Sequence, residues 1–117
     1  MRISPLLAGL ILCLFATANA WAHHGWSSYD AGKALKIEAP IAEVHYRNPH
    51  AQIEIPYQGA TWEVVLAPLG RLQARGLPEE ALTKGKTVMI EGYPRQDGTH
   101  EIRAERITVD GKTIELR

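Results

Sequence analysis

Residues 51–66 read AQIEIPYQGATWEVVL, two alternating runs placed back to back. In the first, Ala51, Ile53, Ile55 and Tyr57 alternate with Gln52, Glu54 and Pro56; in the second, Trp62, Val64 and Leu66 repeat the same period of two. That period is the signature of a half-buried strand. The joining residues Gln58-Gly59-Ala60-Thr61 read as a turn, so the spacing predicts an antiparallel hairpin in which Tyr57 faces Trp62 and Ile55 faces Val64.

Upstream, Leu35, Ile37, Ala39 and Ile41 keep the same period, after which the inward set becomes Ala42, Val44 and Tyr46. A one-residue slip of phase beside Pro40, which has no N–H to give to a ladder, predicts a bulge and a bent first strand serving two sides of the fold. Arg47-Asn48-Pro49 reads as the turn into the next strand. Pairing Val44 with Ile53 and Tyr46 with Ala51 keeps one face dry, because only registers of that parity do so. His45, Arg47, His50 and Gln52 then share the other face.

Downstream, Pro68 suits a first helical position, Leu69 and Leu72 form a short apolar stripe, and Gly76 can close a helix. Residues 77–82 read as an irregular or one-turn connector. Thr87 to Tyr93 and Glu101 to Val109 are predicted strands around the hairpin signal Gln96-Asp97-Gly98-Thr99, the second with another slip where Ile102 and Ala104 give way to Ile107 and Val109. Asp110-Gly111 turns into a short last strand from Thr113. The expected fold class is all-β with one short helix, a small OB-like antiparallel barrel; another small barrel or sandwich is the alternative.

The amino terminus carries a different message. Arg2 precedes an apolar run from Leu6 to Phe15 that softens into small residues, the pattern of a secretory signal peptide. The run is shorter than the roughly 20 apolar residues a membrane span needs, and Leu12 stands where a lipid-anchoring Cys13 would want a small neighbour, so no stable membrane anchor is expected. Two cleavage patterns overlap. Ala18-Asn19-Ala20 would free Trp21 and Ala20-Trp21-Ala22 would free His23; the second is preferred, giving a signal peptide over 1–22, a histidine and aromatic segment over 23–33 and the barrel over 34–117. The expected location is periplasmic or secreted.

The 117 residues hold 13 basic and 13 acidic side chains. Loss of Arg2 leaves a charge of about minus one on about 95 residues, without the basic stripe that nucleic acid demands. Loss of the single cysteine, Cys13, leaves neither disulfides nor thiolate metal sites. A metal would have to use nitrogen and oxygen. Five histidines occur, at 23, 24, 45, 50 and 100. An amino-terminal His23 would offer its ring and its α-amine, whose ordinary pKa of about 7.7 to 8.0 lets it deprotonate near neutrality. Copper is the first choice for such nitrogen ligands and zinc is possible. His50 and His45, diagonal neighbours on the expected outward face, are candidate distant ligands, and His24 is an auxiliary. His100, at a turn, reads as an exposed residue, and Trp26 and Tyr29 read as packing that ties the tail to the barrel.

Enzyme signatures are thin, and an enzyme is the weaker reading. Ser27 and Ser28 lie near histidines without a nucleophile elbow, and no phosphate-cradling glycine loop is present. Glu38, Glu43, Glu54 and Glu63 fall at strand positions, most of them facing solvent.

Several elements together resemble a family of small exported bacterial proteins of unassigned function. They are His23-His24 with Tyr29 and Asp30, the triplet Asn48-Pro49-His50, Trp62-Glu63, Arg75-Gly76-Leu77, Gly85 and Asp110-Gly111. Gly25 stands where serine is expected and His45 where an aromatic is more usual. The resemblance supports these positions and implies no activity. The functional expectation is a periplasmic metal-binding module, copper first, using His23 and His50 with His24 or His45. The alternative is a metal-free binding or adaptor barrel for a periplasmic protein or small ligand. A braced copper that activates oxygen or peroxide is the third possibility.

Overall fold

Strand β1 (Leu35–Pro40) opens the sheet in a computed structural model that describes residues 26–117. It is followed by β2 (Glu43–His45), β3 (Gln52–Tyr57), β4 (Ala60–Val65), helix α1 (Leu69–Ala74), β5 (Thr87–Pro94), β6 (Glu101–Val109) and β7 (Lys112–Glu115). Three-residue 3-10 turns stand at Trp26–Ser28 and Glu79–Ala81. The signal peptide reading, His23 and His24 lie outside the described residues. No helix among the described residues is long and apolar enough to cross a membrane.

Among the described residues the fold is all-β with one short helix. The seven strands form one sheet in the order β1-β5-β6-β4-β3-β2, with β7 on β6. Two features depart from the expected antiparallel barrel. The pair β4–β6 runs parallel, and the sheet is a path with two ends that is not closed into a barrel. Those ends, β1 and β2, belong to one bent segment of chain. Ile41 donates its N–H to Lys86 O at 2.9 Å, whereas Ala42 donates to Glu54 O at 2.7 Å, so the chain changes partner from the β5 side to the β3 side between neighbouring residues. The slip of phase beside Pro40 marks this exchange.

Period-two burial follows the apolar residues. Ile37, Ile53, Ile55, Val64, Ile90, Ile102 and Ile107 face a common core, which Leu72 of α1 and Leu77 complete. Helix α1 ends as its glycine requires: Gly76 has φ of 85°, Gly76 N–H reaches Gln73 O, and Leu77 N–H reaches Leu72 O at 2.8 Å. This is a Schellman stop, with Leu72 and Leu77 both buried. The second slip is a register shift between Glu91 and Gly92 opposite β6.

The hairpin registers are partly as expected. Val44 pairs with Ile53 and the ladder ends at His45 and Gln52, so Tyr46 leaves it and gives its hydroxyl to Leu77 O at 2.8 Å. In β3–β4 the pairs are Tyr57 with Ala60 and Ile55 with Trp62, two residues from the expected register but with the same parity. The cause is a two-residue turn at Gln58 and Gly59, whose φ values of 49° and 76° match the primed turns that hairpins favour.

Candidate functional site

Because alternate residues share a face, the registers set two rows of side chains side by side across the outer surface. One row is Glu43, Glu54, Glu63 and Glu101, on β2, β3, β4 and β6. The next is His45, Gln52, Val65, Arg103 and Tyr93, which reaches β5. Four glutamates in adjacent register repel one another. The carboxyl of Glu63 is held above the usual range by burial and by its neighbours Glu101 and Glu54, with His45 opposing.

The described tail is stitched over one end of these rows. Gln96 N–H donates to Ser28 O at 2.9 Å and Asp30 N–H to Pro94 O at 2.8 Å, and Tyr29 bridges Arg95. Tyr29 is 7% exposed. Its hydroxyl donates to Glu101 Oε2 at 2.6 Å, while the Arg95 and Arg103 guanidinium groups lie 5.6 and 5.9 Å from its ring centre. Burial, then the Glu101 hydrogen bond and charge, push its hydroxyl up to about 12 against the opposing arginines. Tyr29 is thus the packing residue expected from the sequence.

Beside it runs a groove of about 330 Å³ lined by Tyr29, Pro49, His50, Gln52, Val65, Glu101 and Arg103. The loop that presents His50 contains a cis Asn48-Pro49 peptide and is held by Leu69 N–H donating to Asn48 Oδ1 at 3.3 Å. The His50 imidazole is held below its usual range by burial and by Arg103, Arg117 and Arg71, in that order. Arg117 is itself pushed down to about 10 by burial and by Arg103 and Arg71. Arg71 donates to Leu116 O at 2.9 Å, tying α1 to the segment after β7.

His45 belongs to different surroundings. Its Nε2 lies 3.2 Å from Glu54 Oε2, in the glutamate row. No three His, Cys, Asp or Glu side chains among the described residues converge to hold a metal ion. His100 is exposed, as expected at a turn, yet it stacks on Trp62 at 4.6 Å and 23°. Sequence reasoning missed the arginines around His50 and the role of Glu101. Arg103 follows Glu101 by two and carries a period-two signal, but strand arginines ordinarily read as solvated.

The span of the family match includes the tail, the Asn-Pro-His loop and β1 to β5, ending inside β6: residues 11–103 match the family of unknown function DUF6152. The chain belongs to that family. Membership in DUF6152 brings no activity with it. No curated protein matches the sequence. Among solved structures, a crystal structure of the ZRD-deleted mutant of TiaS in complex with agmatine is similar, with a TM-score of 0.53 and 15% identity over 72% of this chain and 26% of that one. This chain therefore spans about a quarter of that protein, and the likeness speaks for the fold alone.

Proposed function

We propose that this DUF6152 member is an exported metal-binding module, periplasmic or secreted, with copper as its first ion. The chelate is formed by the His23 amine and ring together with His50. The observation that carries this reading is that Tyr29 and His50 line one groove. His23 precedes Tyr29 by six residues, a reach of up to roughly 20 Å in extended chain, so the tail histidines can return to His50. The surroundings of His50 favour its neutral form, which is the form that ligates. The same arginines repel a cation, so affinity has to come from chelation rather than from the local field. Because His45 is engaged with Glu54, His24 is the better auxiliary ligand. We read the all-β sheet with its bent first strand as an OB-like binding scaffold left open at one seam.

The test begins with the intact mass of the exported protein, which should show His23 first. Copper(II) titration followed by spin resonance should then give a nitrogen-rich site that His50→Ala weakens about tenfold or more. A Trp21 terminus, or copper binding indifferent to loss of both His23 and His50, sinks the proposal. The arginine field around His50 favours a second reading, a metal-free module for a small ligand or a protein partner. Protein purified from the periplasm without stoichiometric metal would support it.

A further inference from the structure

A second cavity shares no lining residue with the His50 groove. It holds about 410 Å³ and lies where the start of β1, the β3–β4 turn and the loop after β5 meet, within the range of small-ligand pockets. Tyr57, Trp62 and Pro94 supply its apolar walls. Tyr57 and Trp62 meet edge to face at 5.6 Å, and His100 braces the indole by stacking on it. Gln58, Gln96, Thr99, Asp30 and Lys33 line the same space with polar groups.

We propose that this cavity binds a neutral saccharide, one sugar ring resting on the Tyr57 and Trp62 walls. A sugar ring presents an apolar C–H face to aromatic walls and a rim of hydroxyls that donate and accept. Amide side chains, which also do both, match that rim. The charges favour a neutral ligand: Asp30 and Lys33 are opposite in sign, and Arg95 is held by Glu101 at 3.1 Å and Asp97 at 3.4 Å. A nucleotide's phosphate would meet Lys33 as the one lining cation among the described residues not already paired with two carboxylates, since Arg95, which also lines the cavity, is so held, and a purely apolar ligand would strip water from the polar rim without replacing it.

The inference gives the metal-free binding reading a ligand class and is independent of the metal. The experiment follows the Trp62 indole N–H and the Gln58 and Gln96 side-chain amides by nitrogen–proton NMR, in the processed full chain with and without copper. Maltotriose and chitotriose are the neutral probes and adenosine monophosphate is the charged aromatic one. Saturable millimolar shifts with either saccharide, the same in both metal states, are expected. Gln58→Gly keeps the turn while removing the amide, and should weaken binding several-fold, as should Trp62→Phe. Absence of a saturable shift with both saccharides overturns the proposal, as does tighter binding of adenosine monophosphate or saccharide binding that neither substitution weakens.

Discussion

Tyr29 is one phenol asked to hold the described tail against the sheet. Its hydroxyl donates a hydrogen bond to Glu101, and the ring lies under two guanidinium groups. The raised value of about 12, against about 10 in an unfolded chain, has a definite sign. The folded state keeps a proton that the unfolded state loses, so the stability this group contributes is complete below pH 10 and is lost as pH rises toward 12. We expect alkaline melts to show that loss and Tyr29→Phe to abolish it, with about 1.5 to 3 kcal/mol of stability lost at neutral pH because the acceptor is a carboxylate. Phenolate absorbance, compared between the two proteins, checks the titration directly. An unchanged alkaline limb in the variant would show that Tyr29 does not carry it. The tie to the sheet was legible in the aromatic residue itself, but its acceptor was not, since Glu101 lies 72 residues away.

The row of glutamates across β2, β3, β4 and β6 is the element-level conflict of the molecule. Glu63 stands between Glu54 and Glu101, and its raised carboxyl value means that the charged form costs stability once pH rises through that value. We expect Glu63→Gln to stabilise the protein by about 0.2 to 1 kcal/mol near neutrality. The gain should shrink as salt is added and as pH falls to where the carboxyl is already protonated. Urea melts at two salt concentrations and two pH values measure it, and an equal gain under all conditions would assign the effect to packing. The legible and illegible parts divide here on physical grounds. Alternation along 35–46, 51–66 and 101–109 fixes which side chains face inward, because burial acts on each strand locally. The glutamate row was invisible because β4 and β6 are neighbours in space but not in sequence. The β3–β4 register shifted by two because Gln58 takes a left-handed conformation that glutamine seldom signals. The histidine candidates were legible as residue types, but only the fold separates His45, beside Glu54, from His50, beside Tyr29.

For the molecule as a whole, the bent first segment governs more than shape. Its second half, β2, pairs with β3 across a short loop, and β3 pairs with β4 through two residues. Its first half waits for a distant partner, since Leu35 pairs with Gly92. Loop closure disfavours early contacts of that separation, so sheets built on them fold in about milliseconds to seconds. We expect pulse-labelled amide exchange during refolding to protect β2, β3 and β4 first and β1 with β5 later; simultaneous protection would contradict this order. The two neighbouring residues Ile41 and Ala42 thus work as a clock, since the N–H of one bonds early and that of the other late, and the interval between them is how long the core stays open to water.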